Sequence, residues 1–208
     1  MTALFPETIV TARLRLELVH PDTTDPFELY EHAGTDPDID EITEYLTWDP
    51  HRTPKDSLDF IEHIGARYDD DAEGASYAIR PRDGESGAGE FAGDAGFGVD
   101  WDRRSMELGT WLRKPFWGRG YSGERAAAMM KLAFDRLDLE LVTVTSHVDN
   151  ERSNRAITKY VEAHGGQREG LLRNWQVHDG EPDDFYRYSV ASEEWEANRG
   201  DDAVRFEW

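Results

Sequence analysis

The sequence predicts an α+β fold: a mixed, mostly antiparallel twisted sheet with helices on its two faces, in a three-layer α/β arrangement. Three observations carry this. Strand-like segments suited to antiparallel pairing come first. A strand–turn–helix–strand–helix unit occupies the middle, and two further strand-like segments close the chain as a hairpin. That order calls for a single parallel crossover in an otherwise antiparallel sheet, because parallel neighbours need a helix-length connection. A chain of 208 residues suits one domain, read as 1–196, followed by a charged tail over 197–208.

The elements follow in order. Ile9 to Val19 alternates apolar and polar residues at period two, as a half-buried strand does. His20 to Asp25 is a turn supplying helix caps, and Pro26 suits the first position of a helix reaching about His32. Asp36 to Leu46 reads as a second short helix. Thr53 as N-cap, followed by Pro54, opens a clearer one in which Leu58, Ile61 and Ile64 recur at helical spacing to an end near Tyr68. Asp69 to Gly74 is an acidic loop. Ser76 to Ile79 is a short strand, and Pro81 to Gly89 is a polar connection too long for a tight turn. The glycines in the strand Phe91 to Val99 point to a twist or bulge. Asp100 to Ser105 returns the chain into Met106 to Leu112, so these two strands run antiparallel. Ala126 to Leu137 is helical, Leu139 to Thr145 is a β-branched strand, and Asn150 to His164 is a helix stopped at Gly165 and Gly166. Strands over Gln167 to Val177 and Phe185 to Val190 are joined by His178 to Asp184. After Glu196 the chain reads as loose, with Phe206 and Trp208 able to dock.

The stretch from Met106 to Glu124 organises the rest. A short strand turns at Arg113-Lys114-Pro115, passes Trp117-Gly-Arg-Gly-Tyr-Ser122 and enters a helix near Gly120. Free backbone N–H groups at a helix N-terminus converge on one point where the dipole favours negative charge. Gly118 and Gly120 let the backbone approach a phosphate oxygen that a Cβ would keep away. Arg113, Lys114 and Arg119 add positive charge. The stretch reads as a diphosphate cradle.

Composition narrows the classes. Cysteine is absent, which excludes disulfides, thiolate metal sites and a cysteine nucleophile, and leans towards a reducing compartment. The N-terminus lacks a basic, apolar signal pattern and no apolar run approaches membrane-spanning length, so the expected location is cytoplasmic with no membrane partner. Scattered His and Asp give no metal site. The net charge of −21 disfavours nucleic acid, whose phosphates need a basic face. Carboxylates fall in nearly every segment, the pattern of a surface adapted to molar salt; one acidic block, as a docking surface for a basic partner would use, is not present.

At this point the chain resembles a known family. Glu107-Leu-Gly-Thr-Trp-Leu112 followed by Trp117-Gly-Arg-Gly-Tyr-Ser122 is similar to the acetyl-CoA motif of the GNAT N-acetyltransferases, whose pattern Gln/Arg-x-x-Gly-x-Gly/Ala is met by Gly120 and, loosely, Ser122. Trp117 replaces the first position, as in the RimJ/RimL-type subgroup. Thr11-Ala-Arg-Leu-Arg-Leu16, Asn150-Glu-Arg-Ser-Asn154, Arg168 to Asn174 and Asp184 to Val190 resemble the same subgroup, so the resemblance covers roughly residues 8 to 195. Two departures stand out: Ser153 lies twelve residues before Gly165 where about eight is usual, and Gly166 replaces a common aromatic. The excess is about one helical turn, so the helix lengthens without rotating its face.

The resemblance implies acetyl transfer from acetyl-CoA to a primary amine, a protein N-terminus of ribosomal-protein type or a small molecule, by a monomer or homodimer. It implies cofactor contacts at Trp111, Leu112, Arg113, the turn of Trp117, Gly118, Arg119, Gly120, Tyr121 and Ser122, and at Asn150 and Asn154. Acetyl transfer needs a neutral amine and a protonated leaving thiolate. Glu107 is the candidate base, or else an exposed strand-end carboxylate. Ser153 is the candidate acid, or else a helix-capping serine; Tyr160, two turns on, is an alternative. Glu41, Glu44, Tyr45, Trp48 and Trp175 are candidates for the acceptor side. An idle acyl-CoA-binding module is the alternative from another class. Gly118-Arg-Gly-Tyr-Ser-Gly123 also spells the dinucleotide fingerprint, but that fold needs several successive parallel units and the sequence offers one.

Charge dispersal generates a test. Lowering KCl from molar to about 0.1 M lengthens the screening distance from roughly 3 Å to roughly 10 Å. Melting temperature and activity should then fall together. A melting temperature that is unchanged or higher at low salt would refute salt adaptation.

Overall fold

The computed structural model describes residues 3–69, 72–178, 180–200 and 203–208. Asp70 and Asp71 of the acidic loop, Asp179 of the last connection, and Asp201 and Asp202 of the tail lie outside the described residues. Strands β1 (Thr8–Val10), β2 (Leu14–Leu18), β3 (Gly74–Pro81), β4 (Gly93–Asp100), β5 (Ser105–Leu112), β6 (Leu141–His147), β7 (Gln167–His178), β8 (Glu181–Ala191) and β9 (Arg205–Glu207) form one sheet ordered β7-β8-β6-β5-β4-β3-β2-β1-β9. The helices are α1 (Pro26–Ala33), α2 (Ile39–Thr43), α3 (Pro54–Asp69), α4 (Tyr121–Asp135), α5 (Glu151–Ala163) and α6 (Ser192–Asn198). The β5–β6 pair is parallel and every other neighbouring pair is antiparallel, as the element order requires.

Three sequence expectations need correction. Ile9 to Val19 is not one strand but a hairpin: Thr11 N–H donates to Leu14 O at 2.9 Å, and Leu14 N–H to Thr11 Oγ1 at 2.9 Å. The alternation hid the turn because the buried set changes phase across it, from Ile9 to Leu14 and Leu16. The helix expected over Asp36 to Leu46 shrinks to α2, five residues long. The stretch after Glu196 is not loose over its described residues. Helix α6 runs to Asn198 and buries Trp195 against the core; β9 then pairs with β1, and Trp208 lies under the Arg136 guanidinium at 4.8 Å. Alternation over three residues is too short a signal to separate that strand from a tail.

One face of the sheet carries α4 and α5 over the main core. Ala126, Ala128 and Ala133 let α4 lie close, while Met129, Met130 and Leu132 fill the space beneath with Met106, Leu108 and Val142. Fully burying side chains of this size stabilises by about 1.5–3 kcal/mol each. The other face carries α1 and α3 over a smaller cluster of Val19, Leu29, Ile61, Ala78 and Phe91, with Trp48 and Trp111 packed against it.

The pairing of β5 with β6 is short. It runs from Ser105–Leu141 to Leu108–Val144 and stops. Gly109 to Leu112 then pair with β4 alone, and Thr145 to His147 with β8 alone. The two strands therefore part like a wedge that opens towards the turn before α4. Asn154 braces one side: its Nδ2 donates to His147 O and Val148 O, and its Oδ1 accepts from the Tyr188 hydroxyl at 3.0 Å.

Asp94 on β4 is buried, and burial pushes its carboxyl up to about 7, against the opposing pull of the Ser76 hydroxyl bond at 2.6 Å and the Arg125 charge. A folded-state pKa above the unfolded value costs stability as pH rises from the unfolded value to the folded one. Asp94→Asn, which keeps an acceptor for Ser76, should gain melting temperature over the wild type between about pH 4 and pH 7 and hold that gain above it. A difference that stays flat with pH would refute the assignment.

Candidate active site

A cavity of about 1200 Å³ fills the wedge and runs between α4 and α5. Its floor is the edge of β5 at Thr110, Trp111 and Leu112, where the Leu112 carbonyl accepts from Trp117 Nε1 at 2.7 Å, and its near wall is the turn Trp117 to Gly123. Backbone conformation makes that turn. Gly118 and Gly120 have φ of 75° and 81°, a left-handed region where a side chain is strained, and a Cβ on Gly118 would meet open space. Gly120 is the N-cap residue of α4 and contributes no side-chain cap, so the N–H groups of Tyr121, Ser122 and Gly123 face the cavity end without helical acceptors. Together with the helix dipole this makes an anion cradle.

The side-chain charges expected at the cradle lie elsewhere. Arg113 Nε donates to Asp36 Oδ2 at 2.9 Å and Nη1 to Phe91 O, so its guanidinium points into the sheet's other side. Burial opposes ionisation of Asp36, but the Asp38 N–H and the Arg113 guanidinium hold its carboxyl below the ordinary value. Lys114 is held by Asp38 at 2.9 Å and Glu41 at 2.6 Å. Arg119 lines the cavity but sends its Nη1 to Ser86 O and lies over the Phe116 ring. The arginine beside the turn is one that sequence reasoning passed over. Arg13, in the β1–β2 turn, donates from Nη1 to Arg119 O at 2.9 Å, and its Nη2 stands 3.4 Å from where a Gly120 Cβ would be. Glu124, in the first turn of α4, fixes it: Glu124 accepts from Arg13 N, Arg13 Nε and Thr11 Oγ1. The one sequence signal for it was the opening motif Thr11 to Leu16.

Ser153, Asn150 and the ring of Trp117 also line the cavity. Asn150 caps α5, its Oδ1 accepting from Ser153 N–H at 3.0 Å, so the cap does not use the Ser153 hydroxyl. Asn154 faces β6 and β8 instead of the cavity, with its amide engaged as described above. Tyr160 is 5% exposed and its hydroxyl is buried beside the Arg125 charge. Glu41 and Tyr45 stand at the far mouth. Glu41 lies 3.6 Å from Arg152, whose guanidinium covers the Trp117 ring at 3.7 Å, and the Tyr45 ring is 5.1 Å from His147. Arg152, which falls inside the motif Asn150 to Asn154, and Lys159 also line the cavity from α5 and were not singled out in the sequence. Trp48 is a packing residue, its ring 5.5 Å from Trp111 and 5.8 Å from His51. Glu107 and Trp175 are together, but in a second, smaller pocket, where Glu107 accepts from Thr145 Oγ1 at 3.0 Å. Among the described residues no group of three or more metal-ligating side chains occurs, and no helix is long and apolar enough to cross a membrane.

Comparison with known proteins agrees with this architecture. The Bacillus subtilis (strain 168) N-acetyltransferase YoaA, itself uncharacterized, is 28% identical over 152 residues, covering 73% of this chain and 81% of YoaA. YdaF of the same organism, proposed as a ribosomal N-acetyltransferase, is 31% identical over 103 residues, covering 49% of this chain and 53% of YdaF. The solved structure of a proposed acetyltransferase from T. thermophilus matches with a TM-score of 0.72 and 30% identity, over 96% of this chain and 96% of that one. The sequence profile of the acetyltransferase (GNAT) domain spans residues 13–160, most of the chain, and the chain belongs to the GNAT acetyltransferase family.

Proposed function

We propose that this GNAT-family enzyme transfers an acetyl group from acetyl-CoA to a protein N-terminal amino group, by direct attack in a ternary complex. The wedge between β5 and β6, opening onto the glycine turn of α4, is the observation that carries the reading. The residues present suit the cosubstrate. The N–H groups of Tyr121 to Gly123 would hold the diphosphate beside Arg13, and the edge of β5 at Thr110 and Trp111 would bond an extended amide-bearing arm. Acetyl-CoA supplies the activated acyl group. The name that YdaF carries favours a ribosomal-protein N-terminus as acceptor.

This chain's own groups supply the proton steps. An alkylamine is mostly protonated at neutral pH and must lose a proton to attack. Glu107 stands two residues before Gly109, where the strands part, and accepts that proton through water. Ser153, in the first turn of α5, has a hydroxyl with no hydrogen-bond partner among the described residues and donates towards the leaving sulfur, where the helix N-terminus also favours negative charge.

Three variants test the reading. Gly120→Val should weaken acetyl-CoA binding by an order of magnitude or more in calorimetry while the protein stays folded; unchanged affinity would refute the cradle. Ser153→Ala should lower kcat by roughly 10²-fold with acetyl-CoA affinity nearly intact. Glu107→Gln should move the pH–rate profile to higher pH, because the variant depends on amine already neutral in solution. Wild-type rates and profiles in both would leave positioning as the sole source of catalysis.

A further inference from the structure

The face of the sheet away from α4 and α5 has a floor without side chains beside Glu107. Gly96 of β4 pairs with Gly109 of β5, and Gly98 pairs with Glu107 itself. Gly109 has open space where a Cβ would stand. Beyond this floor lies the pocket of about 260 Å³ that contains Glu107, and its lining includes Arg67, Arg103, Arg187 and Trp175. Three arginines around so small a space are unusual in a chain with 44 acidic and 23 basic residues.

The three are not equivalent. Arg187 is paired with Glu169 at 3.1 Å and Arg103 with Asp100 at 3.4 Å. Arg67, near the end of α3, donates from Nη2 to the Glu73 carbonyl at 3.0 Å and has no carboxylate partner among the described residues. Its guanidinium rests on Gly98: a Cβ there would lie 3.3 Å from Arg67 Nη2. The absent side chain at Gly98 is thus what brings a cation next to the strand position that faces Glu107. Yet Arg67 and Glu107 form no ion pair, and Glu107 is held by Thr145 instead.

We propose that the acceptor carries a carboxylate within a few bonds of its reacting amine, and that Arg67 binds that carboxylate while Glu107 faces the amine. This deepens the transferase reading above and rests on it. The span fits. Directly paired residues on antiparallel strands stand about 4.5–5.5 Å apart at Cα. With Arg67 resting on Gly98 and the pocket only about 260 Å³, the acceptor group that reaches both is of amino-acid size. From Glu107 to Gly109, where the strands part, is roughly 7 Å along the strand, so the amine is presented to the wedge from the face opposite the cradle. A planar guanidinium takes a carboxylate through two parallel N–H donors, which orients the acceptor as well as holding it. A free amino acid and a peptide beginning with an acidic residue both offer this chemistry.

Matched acceptors decide it. Steady-state kinetics would compare glutamate with its amide-blocked form, and peptides beginning with Glu with those beginning with Gln. The carboxylate member of a pair should show a KM at least tenfold lower. Arg67→Gln should erase that difference by raising KM for the carboxylate acceptor alone with kcat little changed, and Arg67→Lys should restore part of it. Whichever pair shows the effect identifies the source as free amino acid or peptide. Equal KM values in the wild type, or an Arg67→Gln effect shared by both members, would overturn the proposal. Calorimetric binding of the same acceptors to the CoA-bound protein gives the answer without turnover. If none of these amines is acetylated, the transferase reading fails and this proposal with it; acetylation with no preference for the carboxylate member sinks this proposal alone.

Discussion

A parallel strand pair that is made and then abandoned is the constraint on which this structure rests. Four residues of β5 match β6, and the rest of both strands lean on their outer neighbours. Backbone groups in a sheet interior are costly to leave without partners. The parting is tolerated because β4 and β8 hold the outer edges through full antiparallel ladders and because Asn154 ties the end of β6 to α5 and β8. What remains unpaired is a short peptide edge next to a helix N-terminus, and both features are recognition chemistry before any side chain is considered.

Charge is managed in the same way, by local pairing. In a chain with nearly twice as many acidic as basic residues, most cations near the site are captured by carboxylates of the fold. Arg113 and Asp36 form a largely buried pair, 18% and 4% exposed at the side chain, that locks the loop before α2 to the end of β5. Removing one partner of such a pair is costly because the other charge is left uncompensated. Lys114 is held by two acids, and Arg13 by Glu124. The cradle therefore depends on backbone N–H groups, which no surface carboxylate can neutralise.

How far the sequence could be read follows from the range of each signal. The single crossover, the glycine turn and the helix capped by Asn150 were legible because they are local: spacing and turn chemistry are written in consecutive residues. The first hairpin was not, since its apolar alternation carries across the turn while the buried phase changes at Leu14. Where the Arg113 and Arg119 guanidinium groups end was not legible for a different reason. A residue next to the turn in sequence has a long side chain, and where that chain ends depends on Asp36 and Ser86, more than 30 residues away. Arg13 illustrates the converse, reaching the turn from 106 residues away. Glu107 and Ser153 were picked for their places in a motif; the fold sets them on different cavities, on either side of the wedge.

The glycine floor beside Glu107 gives the fold a separate route of change. Gly109 has room for an added carbon, whereas a Cβ on Gly98 would crowd Arg67. A lineage could therefore reshape the pocket beside Glu107 from Gly109 of β5 without disturbing the turn at Gly118 and Gly120 on the opposite face. Such a separation lets one face of the sheet change while the other stays fixed, and the raw material for divergence here is the absence of side chains.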